Sequence, residues 1–172
     1  MIPKIRRILY ATDLSANSAY AFRYAMNSAI MHDAKIVILH VMEAMKGMGS
    51  AMLGGYLDEE DHQRIYDERV TVVVERTRKR LEVFRERETA ISTEAAHRVE
   101  SIEVVEGYPA EEILRMADEL NCDAIIMGTH GKGIISHTFL GSVAKRVLRR
   151  VRKPVFIIPL PKGETDITFH DI

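Results

Sequence analysis

A single cysteine, Cys122, stands in 172 residues, and there is no tryptophan at all. A lone thiol excludes an internal disulfide and a cysteine-built zinc site, and it predicts a reducing, cytoplasmic compartment. Charge of one sign is missing too: 24 Lys+Arg face 25 Asp+Glu, a formal net charge of -1. Without a bulk positive potential there is no general electrostatic case for nucleic acid or an anionic membrane as partner. No window approaches the roughly 18 uninterrupted apolar residues of a membrane span. The basic start, Met1 to Arg7, runs into only Ile8 to Thr12 before Asp13, an apolar stretch too short for a signal peptide. These shortages predict a soluble protein with neither nucleic acid nor membrane as partner.

What is present is core-forming material. Hydrophobic residues reach 47% against 28% charged, a balance that disordered chains lack. The length predicts one domain, or one plus a tail, burying roughly 70% of the surface an unfolded chain exposes.

Apolar runs of strand length alternate with stretches of helical period. The runs are Ile8–Ala11, Ile36–Val41, Ile102–Val105, Ala124–Met127 and Val155–Ile158. Short, nearly continuous apolar strands predict burial on both faces, as in a parallel sheet covered by helices. Four helices are predicted between them. The first presents Phe22, Ala25, Met26, Ala29 and Ile30 on one face, with Ser15 or Asn17 as N-cap. The second runs from about Glu59 to Arg87, with a stripe at Tyr66, Val70, Val73, Thr77, Leu81 and Phe84. The third opens at Pro109, a residue favoured in a first turn, and the fourth carries Leu140, Val143, Ala144, Val147, Leu148 and Val151. The sum is a doubly wound α/β sandwich.

The third strand mixes Glu100, Glu103 and Glu106 into its apolar residues, which suits an edge that resists pairing with other chains. The fourth has no charge and belongs in the middle. The fifth, Val155-Phe156-Ile157-Ile158, is wholly apolar; placed at the other edge it needs a cover, and a second copy of the chain supplies one. A homodimer is therefore predicted. Two stretches fall outside the pattern. Met42 to Tyr56 is rich in methionine and glycine, which fits a loop with a short helical turn or an adaptable apolar flap. The tail after Pro161 is polar apart from Ile167, Phe169 and Ile172.

In an open α/β sheet, ligands bind beyond the carboxyl ends of the strands where the order reverses. If the first strand neighbours the fourth, that crevice is lined by Ala11-Thr12-Asp13 and Gly128-Thr129-His130-Gly131. Nine residues after Gly131 comes Gly141-Ser142-Val143, at the start of the fourth helix. Backbone amides approach a polyphosphate only where side chains are absent, and a helix N-terminus favours anions. The result reads as a phosphate cradle without a dedicated lysine. It is not the P-loop, because no Gly-Lys-Ser/Thr follows four spacers, and Gly131-Lys132-Gly133 lacks the third glycine of the dinucleotide fingerprint.

The spaced glycines Gly128, Gly131 and Gly141-Ser142, the opening Ile8-Leu9-Tyr10-Ala11-Thr12-Asp13-Leu14-Ser15, Leu39-His40-Val41, Gly107-Tyr108-Pro109-Ala110 and Asp123 to Gly128 together resemble the universal stress protein family. The likeness runs from about Ile5 to Pro159, and its last glycine motif is that of the ATP-binding branch. It implies residues 1–160 as the nucleotide-binding domain and 161–172 as a tail. It also implies a Rossmann-like, adenine nucleotide α-hydrolase-like fold: a five-stranded parallel sheet in the order 3-2-1-4-5. By the same resemblance the chain binds ATP, with Mg²⁺ or Mn²⁺ held through the phosphates rather than by protein side chains, and dimerises through the last strand. Asp13 would meet the adenosine part and Val41 the adenine; Met127 and Gly128 would line the ribose and first phosphate. His130, Gly131, Gly141, Ser142 and Val143 would hold the phosphates. A carboxylate accepts two ribose hydroxyls well and repels phosphate, so Asp13 belongs at the sugar end; the same residue also suits a turn before a helix.

Other readings of single residues are plainer. His40, inside a strand, reads as a core histidine, and the seven histidines show no metal-ligand spacing. The basic run Lys145 to Lys153 fits a helix C-terminus offsetting its dipole, since no aromatic residues are interleaved for base stacking. Two functions follow: a nucleotide-binding regulatory or stress-response module, or a slow ATP-hydrolysing enzyme. No base and no γ-phosphate arginine can be named, so binding is the expectation and no catalytic residue is assigned.

Overall fold

The computed structural model describes residues 2–43, 59–90, 92–129 and 140–159. The elements run β1 (Arg7–Thr12), α1 (Ala16–His32), β2 (Lys35–Met42), α2 (Glu59–Thr89), α3 (Thr93–Ala96), β3 (Val99–Glu106), α4 (Pro109–Glu119), β4 (Ala124–Gly128), α5 (Ser142–Arg150) and β5 (Val155–Ile158). The five strands pair in the order β3-β2-β1-β4-β5, every pair parallel.

Side chains alternate along each strand, so the sheet sorts its apolar residues into two layers. Ile8, Tyr10, Ile36, Ile38, Ile102, Val104 and Ile126 face α1, α2 and α3, where they meet Phe22, Met26, Leu81 and Phe84. Leu9, Val37, Leu39, Ile125 and Met127 face α4 and α5, where they meet Ile113, Met116, Ala144 and Val147. A near-continuous apolar sequence is required because both faces are covered.

The edges carry the chemistry expected of them. β3 lies at one edge, and its Ile102 carbonyl accepts from the Arg78 guanidinium of α2 at 2.6 Å, which blunts that edge. β5 lies at the other, with Phe156 40% exposed and Leu148 of α5 43% exposed. Leu148 thus leaves the stripe predicted for its helix, because β5 is the edge strand and none of the described residues covers that flank. On α2 it is Val74, not Val73, that packs against the core; Val73 faces out.

The sequence pattern did not reveal α3. Four residues are too few to show a period, and the helix is set by Ser92, whose hydroxyl accepts from the Ala95 amide at 3.2 Å. The end of the sheet away from the strand carboxyl termini is fastened by side chains. Asp123 Oδ2 accepts from the Arg6 and Arg7 amides at 2.8 and 3.0 Å, fixing β1 beside β4. Lys153 Nζ donates to the Ala117 and Cys122 carbonyls, each at 2.8 Å, and pairs with Asp118 at 2.9 Å.

Candidate functional site

β1 and β4 are neighbours, Ala11 opposite Met127, yet their following helices depart to opposite faces of the sheet. The strand order therefore reverses between them, and the crevice beyond their carboxyl ends is the position where open α/β sheets take ligands. Thr12-Asp13 leave β1 and Gly128-Thr129 leave β4 on its two sides.

The start of α5 joins them. The Thr129 amide donates to the Ile158 carbonyl at 3.0 Å, which extends the β4–β5 ladder by one step. The Thr129 carbonyl in turn accepts from the Gly141 amide at 2.8 Å. The chain thus returns after residues 130–139 to the point at which it left the sheet, and the N-terminus of α5 sits beside the end of β4. Gly141 is the N-cap, with φ -67° and ψ 163°, and having no side chain it supplies no cap bond itself. The first-turn amides of α5 need acceptors from outside the helix, and no acidic residue occupies that turn to repel an anion. Gly141's φ is open to every L-residue, so the backbone does not demand a glycine there. Ser142 is exposed.

The β1 side is a tight turn. Leu14 has φ 61°, in the left-handed region, and its amide donates to Thr12 Oγ1 at 3.1 Å. Ser15 is the N-cap of α1, as one of the two predicted choices, but its side chain makes no cap bond. Asp13 supplies the acceptor: its Oδ1 takes the Ser15 amide at 3.1 Å and the Ser18 hydroxyl at 2.9 Å. Asp13 is half-buried. It therefore does fill the turn role, and does so with one of its two carboxylate oxygens.

His40 sits opposite Thr12 in the sheet and is buried, as a core histidine should be. Its Nδ1 lies 2.8 Å from the Thr12 carbonyl; a carbonyl only accepts, so Nδ1 carries the proton. Tyr10 is fully buried in the same region, and burial pushes its phenol well above the ordinary range.

The fold gathers Thr12, Asp13, Gly128, Gly141 and Ser142 about one crevice, with Val41 one residue beyond His40 on β2. The side chains of Ala11, Val41, Met127 and Val143 belong to the layer under α4 and α5, so any part they take in a site is through backbone or as its wall. His130 and Gly131 lie outside the described residues, as do His137, Lys132, Met45 to Tyr56 and the tail after Leu160. Sequence reasoning placed Thr129 in the crevice lining but gave it no role, whereas its amide and carbonyl join β5 and α5, and it missed Ser18 and Tyr10 behind Asp13. The sign available in the sequence was Ser18 standing four residues before Phe22, in line with the apolar stripe. Among the described residues no group of three or more His, Cys, Asp or Glu is arranged to hold a metal, and no helix is long and apolar enough to cross a membrane.

The universal stress protein family model matches residues 4–159. Universal stress protein MJ0531 of Methanocaldococcus jannaschii is 30% identical over 159 residues, spanning 92% of this chain and 85% of that one. Universal stress protein MJ0577 of the same organism is 28% identical over 157 residues, spanning 89% and 94%. The solved structure of MJ0577 matches at a TM-score of 0.73 and 22% identity, covering 94% of this chain and 100% of that one. A universal stress protein solved in complex with cAMP matches at a TM-score of 0.57 and 22% identity, covering 91% and 98%. At those identities the structural likeness shows the fold, and the family match supplies the rest: the chain belongs to the universal stress protein family.

Proposed function

We propose that this chain is an ATP-binding regulatory module of its family, with the nucleotide in the crevice between β1 and β4. The observation that carries this reading is the 2.8 Å bond from the Gly141 amide to the Thr129 carbonyl, which brings the N-terminus of α5 to the switch point of the sheet. In this reading the triphosphate meets Gly128, His130, Gly131, Gly141, Ser142 and Val143. Ala11, Thr12 and Asp13 border the ribose with Met127, and the Val41 backbone borders the adenine. Glycine at 141, where the backbone would accept any residue, is explained by the space a phosphate needs. Asp13 Oδ1 is occupied by protein donors, so Oδ2 is the oxygen assigned to the ribose.

A universal stress protein of this fold solved in complex with cAMP supports an adenine nucleotide as the class of ligand. Mg²⁺ or Mn²⁺ would ride on the phosphate oxygens, for want of a carboxylate cage among the described residues. Residues 1–160 form the nucleotide-binding domain in this reading and 161–172 a tail; two copies join through the exposed edge of β5, and the protein works in the cytoplasm. Slow hydrolysis is the second reading, and it has no residue assigned as its base. Release of nucleotide on denaturing the purified protein, or saturable ATP binding by calorimetry, is the expected result. An empty protein that also ignores added ATP would overturn the proposal.

A further inference from the structure

Asp13 does not stand free at the end of β1. Its Oδ1 is pinned from two sides, by the Ser15 amide at 3.1 Å and the Ser18 hydroxyl at 2.9 Å. Ser18 is 5% exposed, so its hydroxyl has no ready exchange with bulk water. The described partners of that hydroxyl are Asp13 and, at 3.4 Å, the hydroxyl of Ser15. Ser18 is itself held in place. Its amide donates to the Ser15 carbonyl at 2.9 Å, and its carbonyl accepts from the Tyr10 hydroxyl. The Tyr10 ring is fixed in turn against Phe22, centroids 5.0 Å apart. Left-handed backbone at a leucine persists only where its surroundings over-determine it, and here Leu14 is tied by its amide to Thr12 and by its side chain to the core.

An unpinned carboxylate rotates and spreads its acceptor directions, and a ligand then bears the cost of ordering it. A carboxylate with one oxygen already committed offers the other in a fixed direction. We propose that Ser18 is a positioning residue for nucleotide recognition: by anchoring Asp13 Oδ1 it aims Oδ2 and sets the preference for a sugar that carries both hydroxyls. This rests on the reading of Asp13 as the ribose acceptor. Ser18 touches no ligand in this scheme and acts through Asp13 alone.

The test is a calorimetric titration of the full chain with ATP and with 2′,3′-dideoxy-ATP. Wild type should prefer ATP by about tenfold or more, the worth of a hydrogen bond to a charged group. Ser18→Ala should weaken ATP binding about five- to tenfold and leave the dideoxy nucleotide unchanged, so that the preference collapses. Ser18→Cys is nearly isosteric but a weak donor, and it should give the same loss without leaving a void, which answers any folding defect in the alanine variant. If wild type shows the preference and both variants keep it, or if they lose both nucleotides equally, the positioning role is overturned while the ribose reading stands. If wild type binds both nucleotides alike, or neither, the ribose reading falls and the role of Ser18 falls with it.

Discussion

Lys153 ends the basic run that begins inside α5, where it would be expected to offset that helix's own dipole. Its ammonium instead serves the neighbouring helix. It donates to the carbonyls of Ala117 and Cys122, both at 2.8 Å, and pairs with Asp118 at 2.9 Å, so it closes the C-terminal end of α4 and the turn into β4. Lys153→Met keeps the apolar stem and removes all three contacts. Hydrogen bonds from a charged donor contribute about 1.5–3 kcal/mol each, less where the abandoned carbonyls regain water. The Asp118 side chain is 76% exposed, so its pairing adds only about 0–0.5 kcal/mol. The sum is about 2–3 kcal/mol. In a domain of this size that lowers Tm by roughly 4–12 °C. Urea unfolding of wild type, Lys153→Met and Asp118→Asn measures it directly. The reasoning is refuted if Lys153→Met lies within about 0.5 kcal/mol of wild type, or if Asp118→Asn costs as much. The residue sits at the end of the sheet opposite the crevice, so nucleotide affinity should not change.

Two further outcomes follow. Burial pushes the Cys122 thiol up to about 11, against an ordinary value of 9.0. Between those values the unfolded chain loses a proton that the folded chain keeps, so stability falls as pH rises through the window; partial solvent screening brings the effect to roughly 1–2 kcal/mol. Cys122→Ala should flatten that fall when unfolding is followed from pH 8 to 11, and an unaltered slope would exclude the thiol as its source. If β5 is the dimer edge, Phe156→Asp should give a monomer by sedimentation with its far-ultraviolet spectrum intact; an unchanged dimer would move the interface elsewhere.

The parallel sheet was legible because its strands are too apolar to face water on either side, and the glutamates of β3 marked one edge. The stripe of α1 was legible for the same reason: Phe22, Ala25, Met26 and Ala29 recur at helical spacing and all are buried. What stayed hidden depends on residues far apart in the chain. Asp123 grips the amides of Arg6 and Arg7 across 117 and 116 positions, and no local pattern announces such a bond. The bond from Gly141 to Thr129 is of this kind too. The glycines were visible as a spaced motif, but their closure onto the end of β4 is a property of the fold. Asp13 was legible as a turn residue and as a ligand candidate together; the structure shows the first task, done by Oδ1, and the second is the proposal made for Oδ2.

Calorimetric titration of ATP into wild type and Gly141→Val asks most directly whether a triphosphate rests against the mouth of α5. Valine fits the φ of -67° at this position, so folding should survive with a stability loss of about 1 kcal/mol, while its branched side chain fills the phosphate's space. Affinity should fall at least about tenfold, equivalent to about 1.4 kcal/mol. Equal affinity in the two proteins would place the nucleotide, if one binds, somewhere other than this crevice.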